Sequence, residues 1–323
     1  MRTTTALLAS VLLATVSCNG GVTDGGGGSA ATGSSGDTGA TGATGATTGA
    51  TGSASSSSGG GGDSVTLAMD PFTVPPGAEV YMCQNFANPF GGEDAQVASF
   101  ESHMAKGSHH LLVFYKDGAT DSAAKSCSGL EFAPTPYSTQ LPDDSLDFPA
   151  GVAALIPKTT GLRLQSHYLN VTAAPITAHV EVTFHRAPAG TVTQQAGILF
   201  VVQPKFDVPP LTTQVVTYDC PIPQDMNVVK AGSHMHKHGT DFTATVAGNE
   251  LFHTTTWDDP APAKFSPPRA LKMGDPMHFA CTFKNSDPMN HLQFGESANT
   301  NEMCIFVGAF YPVPAGQATI TCQ

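Results

Sequence analysis

Ala178-His-Val-Glu-Val-Thr-Phe-His185 alternates apolar and polar residues without a break. In an extended chain successive side chains point to opposite faces, so Ala178, Val180, Val182 and Phe184 share one face and the polar residues share the other. This is the pattern of a half-buried β-strand. Runs of similar character recur at Glu79 to Cys83, His109 to Tyr115, Leu162 to Leu169, Ile198 to Val202, Gln214 to Cys220, Phe242 to Val246, Met277 to Phe283, Cys304 to Phe310 and Ala318 to Cys322. Pro, Gly and Asp separate them, and no amphipathic helical window of useful length intervenes. The expected fold is all-β, a sandwich or jelly roll.

Outward from this core, the ends differ in character. Arg2 precedes an apolar run from Ala6 to Val16 that is too short to span a bilayer as a mature helix, so residues 1–17 read as an export signal. Cys18 follows small Ser17, as in a bacterial lipoprotein signal whose cysteine is lipidated, although Thr15 stands where such signals usually carry Leu. Plain secretion with Cys18 as a spare thiol is the alternative. Either way the chain is expected to be exported, and a lipid on Cys18 would attach it to the cell envelope. Residues 18–63 are almost entirely Gly, Ser, Thr and Ala, a composition that builds no core and reads as a disordered, flexible tether.

About 260 residues remain, enough for two ordinary β domains. The break is expected near Val202 to Leu211, where Gln203-Pro-Lys-Phe-Asp-Val-Pro-Pro210 reads as a connection, giving domains 64–205 and 206–323. A net charge of −12 with few basic clusters gives no footprint for nucleic acid or an anionic lipid surface. A monomer is expected.

Six cysteines follow Cys18, and an even number in an exported chain implies disulfides rather than thiolate ligands. Six cysteines allow fifteen pairings. The nested order in the second half suggests Cys281–Cys304 inside Cys220–Cys322, leaving Cys83–Cys127 for the first half.

Histidines carry the candidate chemistry. In Gly232-Ser-His-Met-His-Lys-His-Gly239, which reads as extended, His234, His236 and His238 would share one strand face, and imidazole is the commonest metal ligand. His109 and His110 are adjacent, so on a regular strand they point apart and can share an ion only if the backbone bends or bulges. His167 lies in Gln165-Ser-His-Tyr168, where alternation sets Tyr168 on the face opposite the histidine. Met303, beside Cys304, offers a thioether, a soft donor suited to Cu(I). A lone strand histidine or core methionine is most often structural. His103 and His291 are read that way, as structural or solvent-exposed.

Taken together, Tyr81-Met-Cys83, Ser108-His-His-Leu-Leu112, Gln165-Ser-His-Tyr168, Ser233-His-Met-His236 and Glu302-Met-Cys304 through Tyr311-Pro312 resemble, in this order, the copper type II ascorbate-dependent monooxygenases, which include peptidylglycine- and dopamine-hydroxylating enzymes. The resemblance covers about residues 66 to 323. It implies two tandem jelly-roll-like β-sandwich domains, each binding one copper, facing each other across a solvent-filled cleft. It also implies that His109, His110 and His167 hold an electron-transferring copper, and that His234, His236 and Met303 hold an oxygen-activating one. The nested cysteine pairing agrees with the family's. The implied reaction is hydroxylation of a C–H bond of a small organic substrate with O2 and an external reductant such as ascorbate. Peptide-amidating members place an Arg two residues before the His-x-His pair and a Tyr four residues after the Met, and this chain has Gly232 and Val307 there. A peptide carboxylate is therefore not the expected substrate. Two other readings compete: a non-catalytic copper-binding surface lipoprotein, and a disulfide-stapled adhesion module whose histidines are incidental. Two coppers far apart across a cleft would support the enzyme, whereas a single metal bridged by ligands from both halves would overturn the assignment.

Overall fold

The structure, a computed structural model, describes residues 55–57, 64–314 and 317–321. The expected signal, Cys18 and most of the expected tether lie outside the described residues. All described regular structure is β, as the alternation predicts. Val180–Arg186 lies between Ser64–Ala68 and Ala95–Met104 in one sheet of a sandwich, and Val180, Val182 and Phe184 are buried in its core. Ser55–Ser57, within the stretch expected to be tether, instead pairs with Ser64–Ala68.

The facing sheet has five strands, in the order Lys125–Ser126, Glu79–Phe86, Thr160–Leu169, Ser108–Asp117, Tyr137–Thr139. Its central strands are buried on both faces. Leu162, Leu164 and Tyr168, with Leu111 and Val113, enter the sandwich core. The alternate positions His167 and His110 are opposite each other across the strand pair and point the other way.

A second sandwich packs a five-stranded sheet, ordered Ala263–Leu271, Met226–His234, Ile305–Tyr311, Gly197–Val202, Thr319–Ile320, against a four-stranded sheet, Thr213–Pro221, Pro276–Lys284, Gly239–Val246, Asn249–Thr254. Phenylalanines 242, 279, 283, 306 and 310 are fully buried there. The chain changes sandwich earlier than the expected break. Gln194–Gln195 still pairs with Val152 and Ala153 of the first sandwich, while Gly197–Val202 already pairs with Ile305–Tyr311 of the second. The proline-rich segment near Val202 to Leu211 joins two sheets of the same sandwich, so its turn chemistry marks a sheet switch rather than a domain boundary. The halves therefore meet at Ala196, and the expected domain ends 205 and 206 fall within the second sandwich.

Cys83–Cys127 and Cys281–Cys304 are disulfides. The second ties the four-stranded sheet to the residue before Ile305–Tyr311. Cys220 is disulfide-bonded, and its expected partner Cys322 lies outside the described residues.

Candidate metal centre

The first triad is built on regular strands with one irregularity. His167 of Thr160–Leu169 pairs with His110, but Tyr168 pairs with Ser108, so His109 is the extra residue of a β-bulge. That bulge turns both adjacent histidines inward, as their sharing of one site requires. All three are buried. His167 is the most firmly held: its Nε2 lies 2.9 Å from Glu79 Oε1, and the Tyr81 ring stacks on it at 3.8 Å. Tyr168, from the opposite face, packs in the core and donates its hydroxyl to the His179 carbonyl at 3.1 Å.

The second group is placed differently. The strand Met226–His234 ends at His234, and Lys237 and His238 form a turn, so the three histidines expected on one strand face do not share a strand. Glu302 replaces the strand as organiser. Fully buried, it accepts the His236 N–H at 2.9 Å and the His238 N–H at 2.7 Å, one on each carboxylate oxygen. These bonds pull the chain away from an extended path and leave His236 buried beside His234. The ring of His234 is fixed by Gln140 Oε1, 2.7 Å from Nδ1, and the Gln140 amide also donates to the Ser233 carbonyl. His236 Nδ1 lies 3.2 Å from the Asn301 carbonyl. Met303 is buried next to the Cys281–Cys304 bridge and lines the same cavity as His110 and His234. His238 is half-buried in the turn. His103 and His291 are exposed and paired with Asp143 and Asp207.

The two groups are not separated by a solvent-filled cleft. Ring centroids of His109 and His234 are 4.9 Å apart, those of His110 and His234 5.2 Å, and those of His109 and His236 5.4 Å. Ligand atoms of His109, His234 and His236 lie within 4.8 Å of one another. The closure has a physical cause in Glu79. Besides His167, its carboxylate accepts Ser297 Oγ at 2.8 Å, the Ala298 N–H at 2.5 Å and Asn299 Nδ2 at 3.0 Å, all on the loop leading to Met303. Tyr81 adds its hydroxyl to the Glu296 carbonyl at 2.6 Å.

Electrostatics keep the cluster ready for a cation. Burial, then the neighbouring rings, holds His109, His110 and His234 well below the usual histidine range, and His236 at about 4. Burial opposes ionisation of Glu79, but hydrogen bonds from His167, Ala298 and Ser297 outweigh it and bring its pKa to about 2. Burial pushes Glu302 up to about 8 despite the backbone N–H groups it accepts. His109 Nε2, His110 Nδ1, His167 Nδ1 and His236 Nε2 are buried without a hydrogen-bond partner among the described residues. In His167 and His236 the other ring nitrogen is anchored, leaving the free one as a neutral donor. Orphaned neutral imidazoles, two of them with anchored backs, and a buried thioether lining the same cavity fit copper.

Glu79, Gln140 and Glu302 were not singled out by the sequence. Glu302 opens a quoted motif and Glu79 a quoted strand run, whereas nothing in the pattern around Gln140 announces it.

By fold and donor set this is a β-sandwich protein with a buried histidine cluster that could hold a metal ion. Residues 194–323 match the copper type II ascorbate-dependent monooxygenase, C-terminal domain. The match includes His234, His236 and Met303. The comparison with curated proteins gives no match. Among solved structures, the major capsid protein P2 from bacteriophage PM2 is similar at 8% identity and a TM-score of 0.33, over 79% of this chain and 99% of that one. The PBCV-1 virus capsid follows at 6% identity and 0.26, over 77% and 94%. Likeness at this level has no bearing on function.

Proposed function

We propose that the chain is an exported copper monooxygenase that hydroxylates a C–H bond of a small organic substrate, using O2 and a reductant such as ascorbate. The observation that carries this reading is the set of orphaned imidazoles near Met303, those of His167 and His236 anchored from behind, in a chain whose residues 194–323 match that family's C-terminal domain. In the overall reaction R–H, O2, two electrons and two protons give R–OH and water. Copper, when bound, supplies the one-electron steps and the activation of dioxygen.

The chain's own residues bind and orient. His109, His110 and His167 offer one set of donors, and His234, His236 and Met303 the other, for two copper ions. Glu79 and Gln140 fix ring orientation, since a hydrogen bond at one ring nitrogen selects the tautomer that leaves the other free. Glu302 holds the His236 backbone, and burial keeps the imidazoles neutral. Lipid attachment at Cys18 belongs to the same proposal.

A second reading has its own observation. His109, His234 and His236 alone bring ligand atoms within 4.8 Å, which suits a single ion held by both halves. Such a chain could serve as a non-catalytic copper binder. Ascorbate-dependent oxygen uptake with a panel of amines, phenols and small amides, read beside copper per chain, tests both. Two coppers and substrate-dependent uptake are expected. One copper with no uptake from any compound would overturn the enzyme reading.

A further inference from the structure

A cavity of about 510 Å³ lies between the two sandwiches, directly against His110, His234 and Met303. This volume is within the range of small-molecule sites, roughly 300–1,000 Å³. One wall is a face of the second sandwich's five-stranded sheet. Across the strand pair, His234 lies opposite Ile305 and Gly232 opposite Val307, and a bulge beyond Val228 brings Lys230 opposite Ala309. All six residues line the cavity. From the His234 row to the Lys230 row is four residues of strand, about 13 Å.

The middle row explains why there is room. A Cβ built on Gly232 would meet only the Pro262 Cβ, at 3.8 Å, so the space above Gly232 is open because no side chain grows into it. The other wall, including Leu112 and Phe114 of the first sandwich, is mainly apolar. At the far end the charged groups on the lining are paired, and the more exposed Lys264, off the lining, also lies 3.8 Å from Asp144. Lys230 and Asp144, both nearly buried, pair with each other, and the Lys230 ammonium lies 5.9 Å from the Tyr137 ring centroid. Glu131, the remaining acid on the lining, is paired with Arg163 at 2.6 Å. An ionic ligand entering here would be desolvated with no unpaired counter-charge to meet it. A single hydroxyl or carbonyl could instead share the hydrogen-bonding capacity of the Lys230–Asp144 pair.

We propose that this cavity binds an uncharged, largely apolar organic molecule, at most about 13 Å long, with one hydrogen-bonding group against Lys230–Asp144 and its apolar end toward His234 and Met303. The inference rests on the copper reading for the statement that the apolar end is the reacting one. Gly232 sets the size of the molecule admitted, and the ion pair sets its orientation.

The test titrates the full chain, with and without copper and without reductant, with fluorescent 2-naphthol, 2-naphthoate, 2-naphthylmethylammonium and naphthalene. The expected result is one site preferring 2-naphthol to both charged analogues by at least about tenfold, in line with the cost of burying an unpaired charge. Gly232→Leu should weaken 2-naphthol about tenfold or more while copper per chain stays unchanged. Val307→Trp, on the neighbouring strand, should do the same and guards against a local folding defect. Replacing the pair together, Lys230→Met with Asp144→Leu, avoids stranding a buried charge and should erase the preference for 2-naphthol over naphthalene. The same preferences in a chain that takes up no copper would support the cavity while removing the copper reading. Normal copper uptake with no 2-naphthol binding, tighter binding of a charged analogue, or indifference to both Gly232→Leu and Val307→Trp overturns the inference and leaves the copper reading standing.

Discussion

The first triad and the second are secured by different means. His110 and His167 face each other on adjacent, fully hydrogen-bonded strands, and a single bulge supplies His109. His236 and Met303 lie outside regular strands, in segments held by one buried carboxylate and one disulfide. The backbone of the first triad is set by sheet pairing, whereas that of the second depends on single side chains. Element interiors resist local opening more than loops do. The second group is therefore expected to be the more easily perturbed half of the centre.

The largest break in this asymmetry is expected at Glu302. Glu302→Ala leaves the buried N–H groups of His236 and His238 without acceptors, at about 3 kcal/mol of stability. Glu302→Gln should not rescue it fully, because the amide NH2 of Gln would face a backbone N–H. Copper held with sulfur in its shell, read by X-ray absorption, should disappear while histidine-only copper remains. Equal loss from both groups would contradict the asymmetry.

Cys281→Ser is next. Opening a loop of 23 residues costs roughly 3 kcal/mol on the chain-entropy model. Both cysteines are fully buried and Cys304 adjoins Met303, so the sulfur-containing shell should again be lost first. A urea titration combined with copper per chain checks it. Loss of global stability with an intact sulfur signal would mean that the bridge staples the sandwich without clamping the site.

Glu79→Gln tests where the comparison ends, because Glu79 touches both groups. Gln retains one acceptor but loses the charge that His167, Ser297, Ala298 and Asn299 share, at about 1–2 kcal/mol. Here both shells should weaken together. If only the first-triad copper responds, the contacts to residues 297–299 do not couple the halves.

The two groups also differ in how far the sequence discloses them. Alternation alone sets His167 and Tyr168 on opposite faces, and adjacency alone demands the bulge at His109, since both follow from the geometry of one strand. The same alternation misreads Gly232 to Gly239, because the chain leaves the strand after His234 to meet Glu302, which lies 66 residues beyond His236. No local period encodes a contact over that distance. The closeness of the two groups is equally hidden, since it depends on Glu79 meeting residues 297–299. The change of sandwich at Ala196 is hidden for a related reason: prolines report a turn but not which sheets it joins.

Met303→Ile sharpens the comparison with the smallest expected effect on the fold. The replacement is similar in volume and hydrophobicity, so stability should fall by less than about 1.5 kcal/mol. Its effect on the centre should still be selective. If the thioether is a ligand, the second group is reduced to two imidazoles and its Cu(I) affinity drops, because a soft donor has been replaced by a hydrocarbon. The three histidines of the first group are untouched by the change, so about one copper per chain should remain firmly held and reducible by ascorbate. The variant should then be folded, with half the copper, no sulfur signal and no substrate-dependent oxygen uptake. If Met303 only fills space beside the disulfide, Ile fills it as well and nothing changes. Two tightly held Cu(I) ions with full turnover in the Ile variant would remove Met303 from the centre. A single copper in both the parent and the variant would instead favour one ion shared by His109, His234 and His236.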